Sequence, residues 1–127
     1  MNLEALEAQF GSKVEHSELL PLAFKIYSEA MTDAQEDNYS LDINTIIIIV
    51  TLLYKIGKII WEWYNKDMEE SIKKSKRLSW WQRIVIWSVV ARKAPLTERV
   101  YLYDGILSMI YKFTNDERKI WFECVKS

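Results

Sequence analysis

Catalysis needs nucleophiles, proton carriers or metal ligands, and this chain carries few of them. There is one cysteine, Cys124, and one histidine, His16. Single copies exclude an intramolecular disulfide, a zinc site built on Cys and His, and any paired-His metal centre. His16 adjoins Glu15 near a helix start and has no thiol, hydroxyl or spaced acid as partner, so it reads as a surface or capping residue. Cys124, beside Val125 in an apolar final helix, reads as a small packed residue. No Glu-x-x-His pair suits a di-iron bundle, and three scattered glycines make no phosphate loop; Gly57 and Gly105 read instead as points of close helix packing. On this inventory no catalytic residue, metal site, cofactor or small-molecule substrate is assigned, and the protein is read as non-enzymatic.

Recognition is better supplied. Lys73, Lys74, Lys76, Arg77, Arg83, Arg92, Lys93 and Arg99, with Glu98 among them, give net +7 over 27 residues, and Trp80, Trp81 and Trp87 interleave with them. Bases that neutralise phosphates and indoles that stack on nucleobases would form a single-strand nucleic-acid surface. The same mixture would also rest on an anionic membrane. The plainer reading makes these tryptophans core or interface groups and the lysines a solvated face. On it, Trp61, Trp63, Trp80, Trp81, Trp87 and Trp121 are the candidate interface residues.

Helices must position these side chains. The spacing Ser/Thr-x-x-Glu/Gln marks helix starts, because the hydroxyl accepts an orphan backbone N–H while the later side chain accepts from the cap. It occurs at Ser12/Glu15, Thr32/Gln35, Ser79/Gln82 and Thr114/Glu117. Helices are expected at about 2–10, 18–31 with Pro21 in the first turn, 42–76, 80–92, 97–113 and 115–126, with a polar linker at 33–40. Over 97–113 a hairpin competes, because Asp104-Gly105 is flanked by β-favouring residues.

In the central segment Thr51, Lys55, Lys58, Glu62, Asn65 and Glu69 recur at steps of three and four, which is one polar stripe on a helix. The pairs Glu62/Lys66 and Glu69/Lys73 suit a solvated face. Ile46, Ile49, Val50, Leu53, Ile56, Ile60 and Trp63 form the expected core seam. Thr45 to Tyr64 is long enough to cross a bilayer, but its ten aliphatics contribute about −3 to −6 kcal/mol and Lys55 and Lys58 each cost roughly +3, so the sum lies near zero. A transmembrane span is not favoured.

The chain has 127 residues, 50% hydrophobic and 28% charged, with three glycines and two prolines, which fits a helical domain better than a disordered chain or a β-sandwich. Residues 1–42 carry nine acids and two bases, residues 43–127 nine acids and fifteen bases. The expected organisation is one all-α domain, a compact bundle of about five to six helices with one long central helix. It has an acidic N-terminal arm, 1–40, and a basic, aromatic-rich body, 41–127, whose charges would meet within one molecule or between neighbours. The N-terminus lacks a basic region followed by an apolar run, so no signal peptide is expected, and the location is read as cytoplasmic or within an assembled particle.

Seventeen aromatics and two helices apolar nearly all round exceed what a chain of this size hides by itself. The expected function is therefore a non-catalytic structural or assembly subunit, packing in a homo-oligomer or a larger particle of virion or phage type. The alternatives are a peripheral membrane-binding protein and a single-stranded nucleic-acid-binding accessory protein.

Overall fold

Two of the expected helix starts are built atom for atom. In the computed structural model, which describes residues 3–10, 14–33, 43–63 and 77–126, the Ser79 backbone N–H donates to Gln82 Oε1 at 2.8 Å, and Gln82 N–H donates back to Ser79 Oγ at 3.4 Å. Thr114 and Glu117 repeat the reciprocal pair at 3.1 Å each way. The helices are α1 (Leu3–Phe10), α2 (Leu20–Asp33, entered through a 3₁₀ turn at Ser17–Leu19), α3 (Ile43–Trp63), α4 (Trp80–Lys93), α5 (Arg99–Lys112) and α6 (Asn115–Val125). The described residues contain no strand, and the fold is a compact all-α bundle.

Local expectations are refined at three places. Thr32 opens no helix, because α2 runs through it to Asp33. The Asp104-Gly105 step does not turn: α5 continues through it, and no glycine among the described residues has positive φ. Gly105 does not need its missing side chain either, since a Cβ there would sit 3.5 Å from Ile26 and 3.6 Å from Ala30, ordinary contact distances. Ser12, Gln35, most of the 33–40 linker and the continuation of α3 over 64–76, with Asn65, Lys66, Glu69, Lys73, Lys74 and Lys76, lie outside the described residues.

α3 is the hub. It packs against α2, α4 and α6, while α5 closes the circuit by packing against both α2 and α4. Within α3, Ile46, Ile49, Val50, Leu53, Ile56 and Ile60 are buried, and so are Leu52, Thr45 and Gly57. Trp63 ends the seam only half-buried. Lys55, Lys58 and Glu62 are exposed and Thr51 is half-buried with its hydroxyl donating to the Ile47 carbonyl at 3.0 Å, so the polar stripe faces water as its spacing requires. By length and composition alone α3 would be able to cross a membrane, yet half of its most apolar stretch is covered by neighbouring helices.

Gly57 sets the depth at which α6 docks. In a helix the carbonyl of residue i points at the N–H of residue i+4, so a side chain at 57 would screen the Leu53 oxygen. Without one, the Trp121 indole N–H reaches that oxygen at 2.8 Å, and Trp121 is 1% exposed. A Cβ on residue 57 would lie 2.6 Å from Trp121 Nε1 and 2.9 Å from Val125 Cγ1. Phe113 meets Trp121 edge-on and Phe122 stacks beside it.

The acidic arm joins the body mainly through apolar contact: Leu6, Leu19, Leu20, Leu22, Ile26 and Tyr27 are buried. An ion pair between the two, Lys25 to Glu117 at 3.1 Å, runs opposite to the bulk charges, with the base on the arm and the acid on the body. Burial pushes the Glu117 carboxyl up, but the Thr114 N–H and the Lys25 ammonium outweigh this and hold it below 4.5.

Gly57→Ala forces the buried indole away from its carbonyl and lowers unfolding free energy in a denaturant titration by about 2–3 kcal/mol. Glu117→Gln keeps the cap and removes the charge. A carboxyl depressed in the folded state stabilises above its unfolded pKa and ceases to do so as pH falls through the folded one. The stability gap between wild type and Glu117→Gln, up to about 1 kcal/mol at pH 7 for a partly exposed pair, therefore closes as pH drops through 4.5 and below.

Candidate interaction surface

α4 and α5 form an antiparallel hairpin whose register is set by aromatic contacts. Trp87 meets Tyr103 edge-on at 5.2 Å, the Tyr103 hydroxyl donates to the Arg83 carbonyl at 3.4 Å, and the Arg77 guanidinium lies 5.5 Å from the Tyr111 ring centre. Burial raises the Tyr103 pKa, a shift that nearby Arg83 opposes. Ile86 and Val90 turn inward to the core. At 3.6 residues per turn, Trp80, Ile84 and Trp87 share a stripe roughly a third of a turn around the helix from Ile86 and Val90, and they are 68%, 53% and 37% exposed. Trp81, 47% exposed, borders this row and leans on Trp63 at 5.3 Å. From α5, Val100 adds a further exposed side chain beside Asp104.

Between the two helices lies a shallow open groove of about 430 Å³. It is walled by Trp80, Arg83, Ile84 and Trp87 on α4 and by Val100, Tyr103 and Asp104 on α5. An exposed tryptophan presents roughly 250 Å². At the exposures of Trp80, Trp81 and Trp87, about 380 Å² of tryptophan surface faces water, and with Ile84 and Val100 the patch reaches the upper end of the roughly 300–600 Å² typical of the largest apolar patch on a soluble monomer, a size that often marks a functional surface.

The six expected interface tryptophans thus divide. Trp80, Trp81 and Trp87 form the exposed face. Trp61 is half-buried against Phe122 at 5.5 Å, and Trp63 is half-buried under Trp81. Trp121 is a core residue and no interface group, because Gly57 admits it to the α3 backbone.

The described members of the expected basic patch do not share one face. Lys73, Lys74 and Lys76 lie outside the described residues. Arg77 covers Tyr111. Arg99 is half-buried with its Nε donating to the Ala94 carbonyl at 3.0 Å, which ties down the loop at the end of α4. Arg83 edges the groove, whereas Arg92 and Lys93, nine and ten residues later, come out on other sides of the helix. Lys93 stands close to Lys55 on α3, and its charge, aided by desolvation and by Arg92, pushes the Lys55 pKa below the usual lysine value.

Ile84, Val100, Tyr103 and Asp104 were not among the residues singled out from sequence. Ile84 was findable, four after Trp80 and three before Trp87; the α5 residues become part of the surface only through hairpin register. His16, in the left-handed region at φ 61°, stacks on Tyr54 with ring centres 3.7 Å apart and approaches Glu15 at 3.4 Å. Burial, with Glu18 nearby, pushes the Cys124 thiol up to about 11, away from thiolate chemistry at neutral pH. Among the described residues no group of three or more His, Cys, Asp or Glu side chains is placed to hold a metal ion. No known protein family, curated protein or solved structure matches the chain.

Proposed function

We propose that the protein is a non-catalytic helical assembly subunit that works by packing the α4–α5 face against protein in an oligomer or larger particle. The observation that carries this reading is the exposed row Trp80, Ile84 and Trp87 on a helix whose adjoining stripe already fills the core with Ile86 and Val90. A helix whose apolar arc is wider than the part its own bundle covers is buried by other surfaces along the rest of that arc. Tryptophan and arginine are the residue types that concentrate binding energy at the centres of protein interfaces, and both are present here.

A second reading has one observation in its favour. Arg83 and Arg92 flank the aromatic row on its two sides, as bases flank the apolar side of a helix lying on an anionic bilayer. Asp104 counts against it, since it lines the groove where anionic headgroups would gather. A nucleic-acid track is less supported, because the described basic side chains are dispersed around the hairpin.

Light scattering on a size-exclusion column tests the reading. At micromolar concentration the chain elutes as an oligomer, and liposomes containing anionic lipid do not carry it upward in a flotation gradient. A strict monomer that floats with the vesicles would replace this reading with the membrane one.

A further inference from the structure

The groove side chains describe their own occupant. Along α4 the outward row is Trp80, Ile84, Trp87 and the half-buried Ala91, at steps of four, three and four. That is the spacing at which one helix packs along another. The two ends of the row also differ in size, with Trp80 at one and Ala91 at the other. If two such helices are laid antiparallel and centred between Val85 and Ile86, Trp80 of each copy falls opposite Ala91 of the other and Ile84 opposite Trp87. Bulk meets space at both ends. A parallel pairing would set Trp80 on Trp80 and Ala91 on Ala91, a collision and a void.

The charges point the same way. Arg83 and Asp104 both line the groove, and neither forms an ion pair with any described residue. An interface between identical surfaces related by a two-fold axis needs donor and acceptor on the same patch, so that each copy supplies what the other lacks. Rotation about an axis that lies in the interface and crosses α4 keeps Arg83 on the α5 side. This brings it within a side chain's reach of Asp104 of the second copy, and the reverse contact forms by symmetry. The same rotation lays Arg92 near Trp81 of the second copy, where a guanidinium stacks well on an indole. A bilayer would use the tryptophans but has no use for the pairing of large ends with small or for Asp104.

We infer that the face is a two-fold interface between two copies of this chain, α4 against α4 in antiparallel register, with Arg83 of each copy paired to Asp104 of the other. The inference rests on the packing function proposed above and names its partner. The patch offers about 380 Å² of tryptophan surface per copy, and with Ile84 and Val100 it supplies more than half of the roughly 800 Å² per partner of standard interfaces, the groove rim providing the rest.

The test is a charge swap between separately prepared full-length variants, Arg83→Glu and Asp104→Arg, followed by sedimentation velocity. Both positions are exposed, and thermal unfolding checks that each variant folds. Wild type is expected to be a dimer. Each variant alone places like charges opposite each other at two points and dimerises about tenfold or more weakly. Their equimolar mixture restores both attractive pairs and recovers a heterodimer of near wild-type affinity. If wild type self-associates but the variants do so equally well, or the mixture recovers nothing, the antiparallel interface is overturned while packing through another face survives. A wild type that stays monomeric at every concentration overturns this interface, and if it also binds anionic vesicles the packing function falls with it.

Discussion

The contact on which the fold turns is the one between a missing side chain and an indole. Gly57 leaves the Leu53 carbonyl open, and Trp121 fills the gap and hydrogen-bonds to it. That single close approach fixes α6 along α3, brings Phe113 and Phe122 around the indole, and places the Thr114–Glu117 cap where Lys25 of α2 can meet it. A buried indole N–H without an acceptor would cost on the order of 1–3 kcal/mol, so the carbonyl is as necessary to the arrangement as the space.

Once α2, α4 and α6 surround α3 and α5 completes the circuit, the inner faces of the bundle are used up. α4 is the helix that suffers. It gives Ile86 and Val90 to the core and still has Trp80, Trp81, Ile84 and Trp87 to place, and no other described helix lies over them. The exposed row is thus a consequence of the packing around α3. Its cost in water is what association would relieve, which links the core to the proposed function through the geometry of one helix.

Most of the architecture was legible in the residues. Capping spacing marked the starts of α4 and α6, and the three-four recurrence of Lys55, Lys58 and Glu62 gave the exposed side of α3. The site was legible in part, and the failures have physical causes. Trp121 and Trp80 look alike in a sequence, because each sits in an apolar helical stretch; what separates them is Gly57, sixty-four positions from Trp121, whose role depends on which helix docks there. The basic residues looked clustered because they are close in the chain. At 100° per residue, the nine-residue step from Arg83 to Arg92 is a half-turn around the helix, so neighbours in sequence became opposite flanks. Asp104 lies where only the α4–α5 register could reveal it.

The central claim is that the α4 indoles are left over by the monomer and covered by another molecule. Acrylamide quenching of tryptophan emission, followed as the pure protein is concentrated, measures this most directly, because quencher reaches only indoles open to solvent. The account predicts that quenching at high dilution is strong and falls, with a blue shift of the quenchable emission, as copies associate. Quenching that stays the same from dilute to concentrated solution would contradict it, for the row would then be as bare in company as alone.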